Sequence, residues 1–178
     1  MRKLVESTFV TLDGVIGDPQ DWGPPYWDEE HSAHAAGLLF GADALVLGRA
    51  TYEAFAQAWP QRSGGEYIDR INEMPKHVAS RSLTETTWNA SVIDGDGVEG
   101  VAALKAEDGG DLLKFGTGEF SAGLLRAGLV DEYHFWVFPV VAGGGQRLLD
   151  GLDTTHLRLL DSTTFASGIV VHVVGPKA

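Results

Sequence analysis

The 178-residue chain contains no cysteine. That excludes disulfides, thiolate metal ligands, cysteine nucleophiles and a zinc nucleobase deaminase of the usual Cys-x-x-Cys type. Basic residues are scarce: 13 Lys and Arg stand against 25 Asp and Glu, a net charge of −12. There is no basic stripe, which argues against nucleic acid and anionic membrane surfaces as partners. No apolar run is long enough for a membrane span and the N-terminus has no signal-peptide core, so the expected location is cytoplasmic. Nor is there an internal repeat, a linker or a low-complexity segment. Length and a 44% apolar content fit one domain, residues 1–178, with a sizeable core.

What is present alternates between apolar strands and helices. Leu4 to Val10 reads as a first strand, followed by a loop from Thr11 to Pro25. A helix is expected over Asp28 to Phe40, with Asp28 as its N-cap. Strand 43–47, helix 50–58, helix 66–73 and strand 76–80 come next. A strand near Thr87 to Ile93, a turn at Gly95-Asp96-Gly97 and a helix from Val98 to Glu107 follow. Strand 111–115 and helix 119–127 end the alternating region. The tail changes style. Glu132 to Val141 is strongly aromatic and reads as a central strand, or one paired across a dimer. Leu157 to Phe165 and Ile169 to Val174 flank Ala166-Ser167-Gly168 as a hairpin. The expected fold is α/β: a mixed, mostly parallel central sheet, flanking helices and a C-terminal antiparallel hairpin.

Three turns have phosphate-binding chemistry. Leu112-Leu113-Lys114-Phe115 runs into Gly116-Thr117-Gly118 and then a helix. Glycine permits a tight turn and close ligand approach, and the free amides at a helix start attract an anion. The dinucleotide fingerprint is incomplete, because Ser121 stands where the third glycine belongs. A second strand runs into Gly48-Arg49-Ala50-Thr51, which offers backbone donors, a cation and a hydroxyl. Between the two, Ser80-Arg81-Ser82 forms a polar, cationic cluster suited to a phosphomonoester. Each turn alone is equally an ordinary turn; together they fit the two ends of one nucleotide in a sheet crevice.

In order and spacing these segments resemble the dihydrofolate reductase-like superfamily, and within it the reductase domain of riboflavin biosynthesis enzymes and its stand-alone relatives. The resemblance rests on Thr11-Leu12-Asp13-Gly14, on Leu47-Gly48-Arg49-Ala50-Thr51-Tyr52-Glu53 and on Ser80-Arg81. It rests further on Gly116-Thr117-Gly118, on Gly128-Leu129-Val130-Asp131-Glu132-Tyr133 and on Pro139, and spans nearly the whole chain. It implies a three-layer fold, an NADPH cofactor and hydride transfer to a small planar heterocycle of pterin, pyrimidinone or flavin type. Gly48, Arg49 and Thr51 would hold phosphates, Ser80 and Arg81 the 2′-phosphate, and Gly116, Thr117 and Gly118 the pyrophosphate. Asp13 and Gly14 sit where the first loop closes beside nicotinamide and substrate. A homodimer is also implied. The alternative from another class is a nucleotide sensor without turnover.

The substrate side is less defined. Folate-reducing members carry an acid on the first helix, but the matching position falls near Ser32. Glu30 and His31 are the nearest candidates for a catalytic group, with Asp13 a third; a charge pair at a helix start is the simpler reading of the acids. His31 and His34 share a helical face and are read as half-buried histidines rather than metal ligands. Trp22 and Trp27 are candidates for the wall of a ring-binding site, or for the packing of a long loop.

Overall fold

The computed structural model describes residues 1–177. Eight strands form one sheet: β1 (Leu4–Thr11), β2 (Ala42–Gly48), β3 (Lys76–Ala79), β4 (Ala90–Val92), β5 (Asp111–Phe115), β6 (Glu132–Phe138), β7 (Leu157–Thr164) and β8 (Val170–Pro176). Their order across the sheet is β4-β3-β2-β5-β1-β6-β8-β7. The first six in that row run parallel, and β8 and β7 close the sheet antiparallel. Parallel neighbours need crossovers, and the helices supply them. They are α1 (Pro19–Trp22), α2 (Glu29–Phe40), α3 (Arg49–Ala58), α4 (Glu66–Glu73), α5 (Gly97–Ala106) and α6 (Glu119–Arg126). The Asp28 carboxylate accepts from the His31 amide and starts α2, as the sequence suggests. Asp96 does the same for α5.

Period-two alternation sorts the strand side chains onto two faces. Leu4, Ala44, Val46 and Leu112 pack with Val101 of α5 and Leu124 of α6. Val5, Leu45, Leu47 and Leu113 pack with Leu39 of α2, Tyr52 of α3 and Ile71 of α4. A third cluster lies where α2 covers β6 and β8, built on Trp136, Phe138, Phe165, Ile169 and Val171. The aromatic stripe of β6 is therefore a central strand, held between β1 and β8. Tyr133, Trp136 and Phe138 are fully buried inside one chain, so the stripe gives no reason for a second copy.

Three boundaries differ from the sequence reading. The segment expected as a loop over Thr11–Pro25 holds α1 and the start of a 3-10 turn over Pro24–Tyr26, each opened by a proline whose fixed φ suits a first helical position. The strand expected near Thr87 shrinks to Ala90–Val92, because Trp88 and Asn89 take left-handed φ values of 59° and 50°. Strand β6 stops at Phe138, since Pro139 has no amide to continue the ladder.

Candidate functional site

Strand register opens the site. The β1–β5 pairing ends at Ser7 opposite Phe115. Strand β1 stays paired to β6 as far as Thr11 opposite Phe138. Strand β5 ends at Phe115, so past Ser7 β1 runs on with only β6 as a paired neighbour, and the turn after β5 lies at the carboxyl ends of the parallel strands. Open α/β sheets bind ligands at such places.

The sequence-predicted turns converge there. Gly116 takes φ +72°, and a Cβ built on it would lie 3.1 Å from Thr51 Oγ1. The β5–α6 turn thus sits directly against the first turn of α3. The Gly116 amide donates to Ser7 O at 3.1 Å, but among the described residues nothing accepts from the Thr117 or Gly118 amide. Thr117 Oγ1 is buried and likewise unpartnered. The Arg49 guanidinium donates to Ser82 Oγ at 2.5 Å and to Glu53 Oε1 at 2.7 Å, tying α3 to the turn after β3. Ser80 Oγ accepts from the amides of Ser82 and Leu83 and so shapes that turn itself. Arg81 is exposed and makes no hydrogen bond or ion pair with a described residue.

Asp13 and Gly14 belong to a loop clamp. The Asp13 carboxylate accepts from Thr11 Oγ1 at 2.6 Å, the Gly143 amide at 2.8 Å and the Ala142 amide at 3.1 Å. Arg147 Nη1 donates to Asp13 O at 2.6 Å, and the Ile16 amide to Gln146 O at 2.8 Å. The glycine run therefore holds the loop after β1; a Cβ on Gly145 would meet Val15 Cγ1 at 2.9 Å. Gly118, Gln146 and Arg147 line a cleft of about 410 Å³ that also includes Arg126 and Asp150.

Hydrogen bonds from Thr11, Gly143 and Ala142 hold the Asp13 carboxyl down at about 2. Its ordinary value is 3.8. A lowered carboxyl contributes stability above its unfolded value and loses it as pH falls through the folded one. The clamp is expected to persist through mild acid and release only as pH approaches about 2. Asp13→Ala should release it at every pH. Amide exchange at Ala142 and Gly143 should then accelerate while β1 and β6 stay protected; unchanged exchange would assign the loop contact to other groups.

The aromatic candidates divide. Trp22 Nε1 donates to Gly17 O at 2.9 Å, and its ring meets Phe138 edge-on at 5.0 Å, so Trp22 is part of the core under α2. Trp27 stays 47% exposed and stacks on His31, ring centroids 5.7 Å apart. His31 Nε2 is buried without a partner, and burial lowers the imidazole below its ordinary value, so the ring is neutral near pH 7. Glu30 Oε2 accepts from the Ala166 amide at 2.5 Å, pinning α2 to the β7–β8 turn. His34 Nε2 lies 3.2 Å from His134 Nδ1, and the described residues contain no metal-binding cluster.

Two residues escaped the sequence reading. Glu6 and Lys114 are cross-strand partners on β1 and β5, both buried. Lys114 Nζ lies 3.3 Å from Glu6 Oε2, and donates to Gly116 O and Ser121 Oγ at 2.6 Å each. Burial pushes the carboxyl up and the amine down, each opposed by the other's charge. The available signal was a charged residue between buried apolar neighbours, Glu6 after Leu4-Val5 and Lys114 after Leu112-Leu113, where only pairing makes burial tolerable.

Residues 2–171 match the model of the RibD C-terminal domain. The uncharacterized proteins YyaP and YwjB of Bacillus subtilis (strain 168) are each 26% identical to this chain, over 95% and 97% of it and 92% and 98% of their own lengths. A pyrimidine reductase-like protein from Corynebacterium diphtheriae superposes with a TM-score of 0.72 at 13% identity, over 99% of this chain and 92% of that one. The Thermotoga maritima diaminohydroxyphosphoribosylaminopyrimidine deaminase/5-amino-6-(5-phosphoribosylamino)uracil reductase gives 0.69 at 14% identity, over 99% of this chain and 57% of that longer one. With the family model covering nearly its full length, this α/β chain belongs to the RibD C-terminal domain family.

Proposed function

We propose that this protein is an NADPH-dependent reductase acting on a small planar heterocycle of pterin, pyrimidinone or flavin type. The observation that carries the reading is the pair of unclaimed amides at Thr117 and Gly118, in the turn whose Gly116 lies against Thr51 of α3. Those donors, the first-turn amides of α3 and α6 and the Thr51 hydroxyl fit a diphosphate. Arg81, free of any protein partner, fits the 2′-phosphate. Arg49, already bonded to Ser82 and Glu53, orders the rim between these two places.

The bound cofactor would supply the hydride; the protein supplies binding, orientation and exclusion of water. The Asp13 carboxylate clamps the loop after β1 to the glycine run at Gly143. Trp27 offers an exposed aromatic face, and neutral His31 beside it is the one named candidate for handling a proton. The carboxylates of Asp13 and Glu30 each accept from backbone amides, which counts against either as the free acid. That observation favours the second reading, a nucleotide sensor without turnover.

One experiment separates the two. NADPH at roughly 100 times its dissociation constant should add about 2.7 kcal/mol of stability. NADPH absorbance is then followed with pterins, pyrimidinones and flavins. Stabilisation with oxidation supports the reductase, and stabilisation without it supports the sensor. A melting curve unmoved by millimolar NADPH would sink both.

A further inference from the structure

The buried Lys114 ammonium donates two hydrogen bonds at one turn and faces the Glu6 carboxylate of β1 as an ion pair. Its partners are Gly116 O at 2.6 Å, Ser121 Oγ at 2.6 Å and Glu6 Oε2 at 3.3 Å. It therefore joins the end of β5, the glycine turn, the second residue pair of α6 and strand β1. The Phe120 ring closes over it, 5.6 Å from centroid to nitrogen. No water-filled surface competes, since Lys114, Glu6 and Ser121 are all buried.

The peptide between Gly116 and Thr117 is trans and planar, so its C=O and N–H point in opposite directions. Lys114 holds the Gly116 carbonyl inward. The Thr117 N–H is thereby turned outward, and it is one of the two amides that nothing in the described residues accepts from. The φ of +72° at Gly116 allows this orientation without a side-chain clash. The charges are ordered as well: the cation is adjacent to the turn, and the anion lies behind it on β1.

We infer that Lys114, held by Glu6 and Ser121, is a positioning residue that sets the affinity of the Gly116–Gly118 turn for a diphosphate without touching it. This rests on the dinucleotide reading above. A purely structural cross-link would stabilise the fold and leave ligand discrimination unchanged. A positioning role instead separates ligands that carry a diphosphate from those that lack one.

The test compares wild type with Lys114→Met, which keeps chain length and loses the charge. Dissociation constants are measured for NADPH, NADH and adenosine 2′-monophosphate, with melting curves on the same samples. Lys114→Met should weaken both dinucleotides by about ten- to a hundredfold. Adenosine 2′-monophosphate, which has no diphosphate, should bind as before. In turnover, KM for NADPH should rise while kcat holds. Dinucleotide affinity equal to wild type overturns the inference, and so does an equal loss of all three ligands. If Lys114→Met does not fold, Ser121→Ala decides: it removes one anchor of the ammonium, and a several-fold loss confined to the dinucleotides is expected, whereas no loss overturns the role. A wild-type protein that binds neither dinucleotide removes the functional reading itself, and is recognised before any variant is made.

Discussion

Trp136→Ala should cost about 3–5 kcal/mol of unfolding free energy. The indole is fully buried and meets four rings: Phe9 at 5.3 Å, His31 at 5.1 Å, His34 at 4.8 Å and Phe165 at 5.8 Å. Its Nε1 donates to Ser7 Oγ at 3.0 Å. Alanine would open a cavity between β6 and α2 and leave the Ser7 hydroxyl without that donor. For a domain of this size the loss corresponds to a fall in Tm of roughly 6–20 °C. Trp136→Phe keeps most of the packing and should cost clearly less. Urea denaturation with an unchanged slope measures both. A loss under about 1 kcal/mol for the alanine variant would mean that α2 contributes little to holding this part of the sheet.

Arg81→Ala should weaken NADPH by roughly ten- to a hundredfold and leave NADH nearly unaffected. A charged hydrogen bond to phosphate contributes about 1.5–3 kcal/mol, and only NADPH carries the 2′-phosphate. Arg81 has no partner to lose, so its removal should leave Tm unchanged. Gly118→Val is the counterpart. Gly118 is extended, and a Cβ there would come no closer than 3.8 Å to Gln146 Nε2, so the fold accepts the side chain. Valine would nonetheless stand at the turn that both cofactors share, and both affinities should drop together. Equal losses of NADPH and NADH in Arg81→Ala would move the 2′-phosphate site elsewhere, with Arg49 next in line. An unchanged NADH affinity in Gly118→Val would detach the turn from the pyrophosphate.

The order of elements, the N-cap at Asp28, the hairpin around Ala166–Gly168 and the glycine turns at Gly48 and Gly116 are readable along the chain. These features rest on local physics: side-chain period, capping and the conformational freedom of glycine. The central position of the aromatic strand is readable too, because a strand buried on both faces is apolar on both. Which loops meet is not local, and only the tertiary structure decided it. Parallel pairing placed the turn after β5 beside the start of α3, bringing Gly116 against Thr51. The end of β5 at Phe115, opposite Ser7, set where that turn leaves the sheet. Asp13, which looks in sequence like an available acid, has its carboxylate taken by Gly143, 130 residues away. The Glu6 and Lys114 charges, separated by most of the chain, are tolerable in the core only because register sets them opposite each other. Sequence thus determined what each segment is able to form, while the site arose from contacts between segments that carry no local signal of one another.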